Sequence, residues 1–252
     1  MSCAIITGAS SGLGVEFALR IKDVFPETDE LWLIARRGDK LDELAARLSG
    51  INVRCLGIDL TDNAGLDELD RQLKERSPSV SLLINSAGCG YLGNFHESAI
   101  EQQLRMTALN IHALTAVTRI VLDYMPGGGR IINLSSIASF VPNARMTVYS
   151  ATKSYVSSFS RGLHEELRSR NISVTAVCPG PMATEFLDTG GIKGNSKTFE
   201  TLPYCDPASV AEKSLLASRA RRAVYTPRSL YKVYRVLSGI VPHALLVKIA
   251  KT

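Results

Sequence analysis

No run of apolar residues in this chain is long enough to span a bilayer, and the apolar start "CAIIT" at residues 3 to 7 has no basic segment ahead of it. Neither a signal peptide nor a membrane-crossing helix is expected. Cysteine is sparse: Cys3, Cys55, Cys89, Cys178 and Cys205 are odd in number and show no C-x-x-C spacing. A disulfide scaffold or zinc site does not suit such a pattern, and a reducing cytoplasm is the expected setting. The histidines His96, His112, His164 and His243 lack metal-ligand spacing, so no metal is expected. Acid is missing from one region altogether. Residues 213 to 252 carry nine Lys or Arg and no Asp or Glu, whereas the rest is slightly acidic and the whole chain is +5. A basic segment of this kind can attract nucleic acid, anionic lipid or an acidic substrate, or can simply be solvated. Nucleic acid is not the expected partner.

What is present points to one α/β domain. With 252 residues and 45% hydrophobic content the chain can bury a sizeable core. "AIIT" (4 to 7), "LWLIA" (31 to 35), "INVRCLGI" (51 to 58), "VSLLIN" (80 to 85), "RIINLS" (130 to 135) and "ISVTAVC" (172 to 178) are continuous aliphatic runs, as strands covered on both faces are. Between them lie stretches of helical period, such as "AGLDELDRQLKERS" and "YSATKSYVSSFSRGLHEELRSR". The alternation predicts a doubly wound parallel sheet with a ligand crevice at the carboxyl ends of its strands.

The first strand-to-helix turn reads TGASSGLG, residues 7 to 14. Gly8, Gly12 and Gly14 allow a tight turn and close approach to a pyrophosphate, which the N–H groups and dipole of the following helix would bind. The spacing differs from G-x-G-x-x-G, so its position after a strand and before a helix carries the reading. At the end of the second strand stand Ala35, Arg36 and Arg37 with no carboxylate. A guanidinium there favours the 2′-phosphate of NADP over the 2′-hydroxyl of NAD.

Taken with these, several stretches resemble the classical short-chain dehydrogenase/reductase family over about residues 3 to 226. TGASSGLG is similar to its cofactor loop, NSAG (85 to 88) to its N-N-A-G element, YSATK (149 to 153) to its Y-x-x-x-K signature, and PGPMAT (179 to 184) to its nicotinamide loop. Ser86 departs from the second asparagine of N-N-A-G, and no basic residue precedes Gly12. The resemblance implies a single-domain doubly wound Rossmann fold with a mostly parallel seven-stranded sheet flanked by helices. It implies catalytic roles for Asn110, Ser136, Tyr149 and Lys153, with Ser135 as the neighbour that competes with Ser136. It also implies cofactor contacts from Thr7, Gly8, Ser10, Ser11, Gly12, Leu13 and Gly14; from Arg36, Arg37, Asp59 and Leu60; from Asn85, Ala87 and Gly88; and from Tyr149, Lys153, Pro179, Gly180, Met182 and Thr184. A homodimer or homotetramer is the family habit.

Tyr149 and Lys153 then have a physical rationale. A phenol of pKa about 10 is a poor base at neutral pH. A lysine at i+4 shares its helix face, and a unit cation about 4 Å away at an effective dielectric near 20 is worth about 4 kcal/mol. That is roughly three pKa units, enough to bring the phenol near 7 unless burial cancels it. Chance placement alone would give Y-x-x-x-K about 0.3 times in this composition, so the shared placement of Ser136 at a strand end and Tyr149 at a helix start carries the argument.

The expected activity is hydride transfer between NADP(H) and a carbonyl or secondary alcohol (CH–OH), on a bulky apolar substrate such as a hydroxysteroid or 3-oxoacyl compound. A small-carbonyl or sugar reductase is the alternative, and a non-catalytic dinucleotide-binding sensor or scaffold is the alternative of another class. Residues 1 to 226 form the expected catalytic domain, with a substrate loop at about 181 to 205. Residues 227 to 252 form a basic amphipathic extension interrupted near Gly239 and Pro242. That extension has three readings: a pocket cover or subunit interface, a peripheral contact with an anionic membrane surface, or a solvated tail.

Overall fold

The computed structural model describes residues 1–250 and 252. Seven strands, β1 (Ser2–Thr7), β2 (Thr28–Ala35), β3 (Asn52–Gly57), β4 (Ser79–Asn85), β5 (Arg130–Leu134), β6 (Ser173–Val177) and β7 (Val224–Tyr225), form one sheet in the order β3-β2-β1-β4-β5-β6-β7. Every pairing is parallel. Six of the strands coincide with the aliphatic runs. The seventh is two residues long, too short for any hydrophobic pattern to announce it.

Alternate residues of each central strand feed two separate cores. On one face Ala4 and Ile6 of β1 pack with Leu31 and Leu33 of β2 against α1 (Gly12–Val24), α2 (Gly38–Ala45) and α9 (Pro207–Arg219). On the other, Cys3 and Ile5 pack with Trp32 and Ile34 against α3 (Asn63–Arg76) and α5 (Leu114–Leu122). A strand buried on both faces has no polar side to alternate with, which is why its sequence is uninterrupted. Helix starts are set locally. Asp62 caps α3 by accepting from the Ala64 amide, and Asp206 caps α9 by accepting from the Ser209 amide at 2.7 Å, with Pro207 in the first turn.

The chain order reverses between β1 and β4, so the loops after those strands diverge to opposite sides of the sheet and leave a crevice at their carboxyl ends. Two other elements border it. One is α6 (Thr147–Glu166); the other runs from α4 (Ile100–Thr107) through a π-helical segment, Ala108–Ala113, into α5. The segment 181 to 205 holds two short helices, α7 (Glu185–Thr189) and α8 (Lys197–Thr201). The C-terminal stretch forms α10 (Ser229–Ser238) and α11 (His243–Ile249), broken at Gly239 and Pro242 where proline removes a donor and fixes φ.

Candidate active site

One cleft of about 670 Å³ runs across the crevice, from Arg36 and Asp59 at one end to Tyr149 and the segment 181 to 205 at the other. The glycine loop forms its floor. Gly8 and Gly12 hold φ of +69° and +53°, which favour glycine, and a Cβ on Gly8 would lie 2.7 Å from the Ala87 backbone. The loop is thus pressed against NSAG, and the Ala87 amide donates to the Thr7 hydroxyl at 3.2 Å to hold the two turns together. A Cβ on Gly14 would fall 2.2 Å from the Gly8 carbonyl oxygen, so α1 starts directly behind the loop.

Of the residues singled out in the sequence, Gly8, Ser10, Ser11, Gly12, Leu13, Arg36, Arg37, Asp59, Leu60, Ala87, Gly88, Ser136, Tyr149, Lys153, Pro179, Gly180, Met182 and Thr184 line this cleft. Thr7, Gly14, Asn85 and Asn110 stand behind its wall. Asn85 is buried and its amide donates to the Thr118 hydroxyl and the Asn133 side-chain carbonyl, both at 2.9 Å. Asn110 lies in the π-helical segment, a local widening often found at functional sites. Its side chain clasps Cys89, accepting from the Cys89 amide and donating to the Cys89 carbonyl at 2.9 Å each. A Cβ on Gly88 would meet the Asn110 Oδ1 at 3.2 Å and the Lys153 Nζ at 3.3 Å, so the NSAG turn is the shared neighbour of both.

The two serines at the end of β5 divide their roles. Ser135 turns its hydroxyl into α6, donating to the Lys153 carbonyl at 2.8 Å. Ser136 stands beside the phenol of Tyr149, close enough to pull its pKa down, and its oxygen accepts from the Ala138 amide. Lys153 lies under the Tyr149 ring, its Nζ 5.7 Å from the ring centroid, and donates to the Leu134 carbonyl at 2.8 Å.

Electrostatics differ from the simple expectation for this pair. Burial pushes the Tyr149 phenol up to about 12, against a smaller opposing pull from Ser136, and burial brings Lys153 down to about 8. With the chain's own groups alone, desolvation therefore outweighs the attraction that would have brought the phenol near 7. Both groups are poised to respond to any charge that enters the cleft.

At the other end, burial raises the Asp59 carboxyl, but hydrogen bonds from the Thr61 amide and hydroxyl, with Arg36 and Arg105, hold it below the usual carboxylate range. Arg36 and Arg105 each place a guanidinium nitrogen 3.8 Å from Asp59. Arg37 spans the cleft, donating to Ser10 and to Glu185 at the start of α7. Arg105 and Glu185 escaped the sequence reading, because neither belongs to a motif and only the crossing of α4 and α7 brings them here.

The end of the cleft beyond Tyr149 is apolar. Val141, Met146, Phe186, Leu187 and Phe199 line it, and Leu230, Tyr231, Tyr234 and Leu246 from α10 and α11 close one side. Phe186 packs on the Tyr149 ring at 5.6 Å between centroids. Cys89 and Tyr91, just after NSAG, both line the cleft, with the Cys89 thiol raised by burial.

Comparison with known proteins agrees with this geometry. The model of the short chain dehydrogenase family matches residues 2–191. A protein of Haemophilus influenzae described as a probable NADP-dependent dehydrogenase is 33% identical over 215 residues, 82% of this chain and 84% of that protein. Among solved structures, a short-chain dehydrogenase from Sphingobium yanoikuyae in complex with NADPH superposes with a TM-score of 0.80 at 31% identity, over 97% of this chain and 98% of the other. The bulky-bulky ketone specific alcohol dehydrogenase from Comamonas testosteroni gives 0.74 at 28% identity, over 97% and 96%. The chain belongs to the short-chain dehydrogenase family, in its classical form.

Proposed function

We propose that this short-chain dehydrogenase is an NADP(H)-dependent oxidoreductase acting on the carbonyl or secondary alcohol group of a bulky apolar substrate, of the size and polarity of a hydroxysteroid or a 3-oxoacyl compound. The observation that carries the reading is the meeting of Ser136, Tyr149 and Lys153 at the junction between a glycine-floored trough and an apolar chamber.

The trough fits a dinucleotide on the structure's own terms: Gly8, Ser11 and Gly12 line its floor, α1 begins at that floor with its N-terminal amides, and Arg36 stands exposed at its far end. No acidic residue ends β2 where NAD sites keep one, and Arg36 suits a 2′-phosphate, so NADP is favoured over NAD. The NADPH held by the Sphingobium relative supports the same choice. When bound, the nicotinamide supplies or accepts the hydride.

The chain's own residues do the rest. Ser136 donates a hydrogen bond to the substrate oxygen and stabilises its developing charge. Tyr149 gives its proton to that oxygen in reduction and takes it in oxidation. Lys153, released from the Leu134 carbonyl, steadies the phenolate and holds the ribose side of the trough. Asn110 fixes the Cys89 turn and so the wall behind Lys153, the position from which it supports a water relay.

The apolar lining favours a bulky ketone over a sugar, whose hydroxyls would lose hydrogen bonds with water and find few in return. The name of the Comamonas relative points the same way. None of the five cysteines is paired, which supports a reducing, cytoplasmic setting. Phe95, Ile100 and Leu104 expose an apolar face at α4, which supports a homodimer or homotetramer.

NADPH and NADH are titrated against the purified chain by nucleotide fluorescence, and bulky ketones, small carbonyls and sugars are then screened for turnover. Tighter NADPH binding, reduction of the bulky ketones, and retained binding without turnover in Tyr149→Phe are the expected results. If neither nucleotide binds, the reading falls; binding without turnover of any carbonyl would instead favour a sensor.

A further inference from the structure

The outer face of α10 is apolar. Leu230, Val233, Val236 and Leu237, with Ile240 just past the helix end, are between 47% and 73% exposed. At about 100° per residue they occupy an arc of about 120°. The opposite side of the same helix is also apolar, with Tyr231 buried and Tyr234 half-buried against the body of the protein. A surface helix ordinarily shows water a polar face. On the following helix, α11, Leu245 is likewise exposed, at 55%.

Cations rim it. Arg228, Lys232 and Lys248 are exposed, and no Asp or Glu follows Glu212 in the sequence. A contiguous apolar patch rimmed by polar groups marks an interaction surface, and the sign of the rim narrows the occupant. A two-fold pairing of this face with a second copy would set Arg228 and Lys232 against their own equivalents, with no carboxylate on α10 or α11 to pair them. An anionic lipid surface supplies both missing complements: acyl chains for the aliphatic arc and negative head groups for the rim. No helix among the described residues is long and apolar enough to cross a membrane, so the contact is peripheral.

The patch is continuous with the substrate cleft. Leu230 belongs to the exposed arc and also lines the cleft, as do Tyr231 and Tyr234 on the inner side of α10 and Leu246 on α11. The helix is moored to the rest of the site: the Tyr231 hydroxyl donates to the Pro203 carbonyl at 2.7 Å, and Arg228 donates to the Tyr204 carbonyl.

We propose that the outer face of α10, with Leu245 of α11, docks on an anionic lipid surface, and that the apolar end of the cleft receives its substrate from that surface. The docking stands on the patch alone; the delivery rests on the reading of the cleft as a site for apolar ketones or alcohols.

The full chain is floated with vesicles of phosphatidylcholine alone and of phosphatidylcholine mixed with phosphatidylglycerol, over a salt series, with sedimentation velocity run in parallel. Flotation with the mixed vesicles that weakens as salt rises is expected. Lys232→Gln lowers the partition by about fivefold, and Val233→Asp combined with Ile240→Asp abolishes it, while NADPH affinity stays unchanged in both as a check of folding. Absence of flotation with either vesicle overturns the proposal, as does flotation indifferent to these substitutions. A wild-type oligomer that does not float and that Val233→Asp splits into monomers assigns the face to a second copy and also overturns it. Flotation is read without turnover, so an enzyme that does not dock and a docking protein that is not an enzyme are distinguished.

Discussion

The hydroxyl of Ser135 donates to the main-chain carbonyl of Lys153 at 2.8 Å, while its neighbour Ser136 faces the phenol of Tyr149. Adjacent residues in an extended strand point to opposite sides, and just past β5 that alternation separates a serine turned into α6 from one turned toward the phenol. Ser136→Ala is expected to lower kcat by about 10²- to 10³-fold, the cost of losing one donor to a developing oxyanion. Ser135→Ala is expected to keep kcat within a few fold and to lose about 1 kcal/mol of stability. Steady-state kinetics and urea denaturation of the two variants check both.

Burial makes Lys153 a pH-dependent liability. Its pKa falls from the ordinary lysine value to about 8, so between pH 8 and the unfolded value the unfolded chain binds more protons than the folded one. The penalty is fully present below pH 8 and is relieved as pH rises toward 10. Tyr149, raised to about 12, acts oppositely: the folded chain keeps its proton longer, and the stability this confers is lost as pH climbs from about 10 to 12. The stability difference between wild type and Lys153→Met should therefore shift in favour of wild type from pH 8 to 10. A flat difference across that range in thermal denaturation would count against a buried, titrating lysine.

Arg36 is 59% exposed at its side chain and only loosely paired with Asp59 at 3.8 Å, so it is available to a phosphate. Arg36→Ala should weaken NADPH binding by about 10- to 150-fold, the range for a charge-assisted hydrogen bond, and alter NADH binding little. Fluorescence titration with both nucleotides reads the ratio, and equal losses for the two would remove Arg36 from the 2′-phosphate.

The ring of Tyr231 lies on Gly180: a Cβ at that position would come within 2.2 Å of the ring. Gly180→Ala should displace α10, lower the melting temperature and raise KM for the bulky ketone more than for NADPH. Shortening the partner, as in the double variant Gly180→Ala with Tyr231→Ala, should cost less than the sum of the two single changes, because the clash is then already relieved. Strict additivity in a thermal-shift cycle would show that the two residues do not act on each other.

How much of this was readable beforehand varies with the range of the interaction involved. The glycine loop, Arg36 at the end of β2, and Tyr149 four residues before Lys153 are local patterns, and the structure places all of them on one cleft. Arg105 and Glu185 were not readable, since their approach to Asp59 and Arg37 depends on how α4 and α7 lie across the sheet. Spacing left the state of the tyrosine conditional on burial: an i, i+4 separation sets the helix face, but not how much water is excluded from it, and in the folded chain burial outweighs the attraction.

The strand-helix alternation, the glycine turn and the Tyr149–Lys153 spacing were set by the sequence itself, because these depend on hydrophobic period and on residues within a few positions of one another. Only the tertiary structure decided which serine faces the phenol, which helices wall the apolar chamber, and that α10 turns apolar surface both inward and outward. Those outcomes arise where segments distant in the chain are packed together, and the direction in which a side chain points there is set by the partner it meets rather than by its neighbours in sequence.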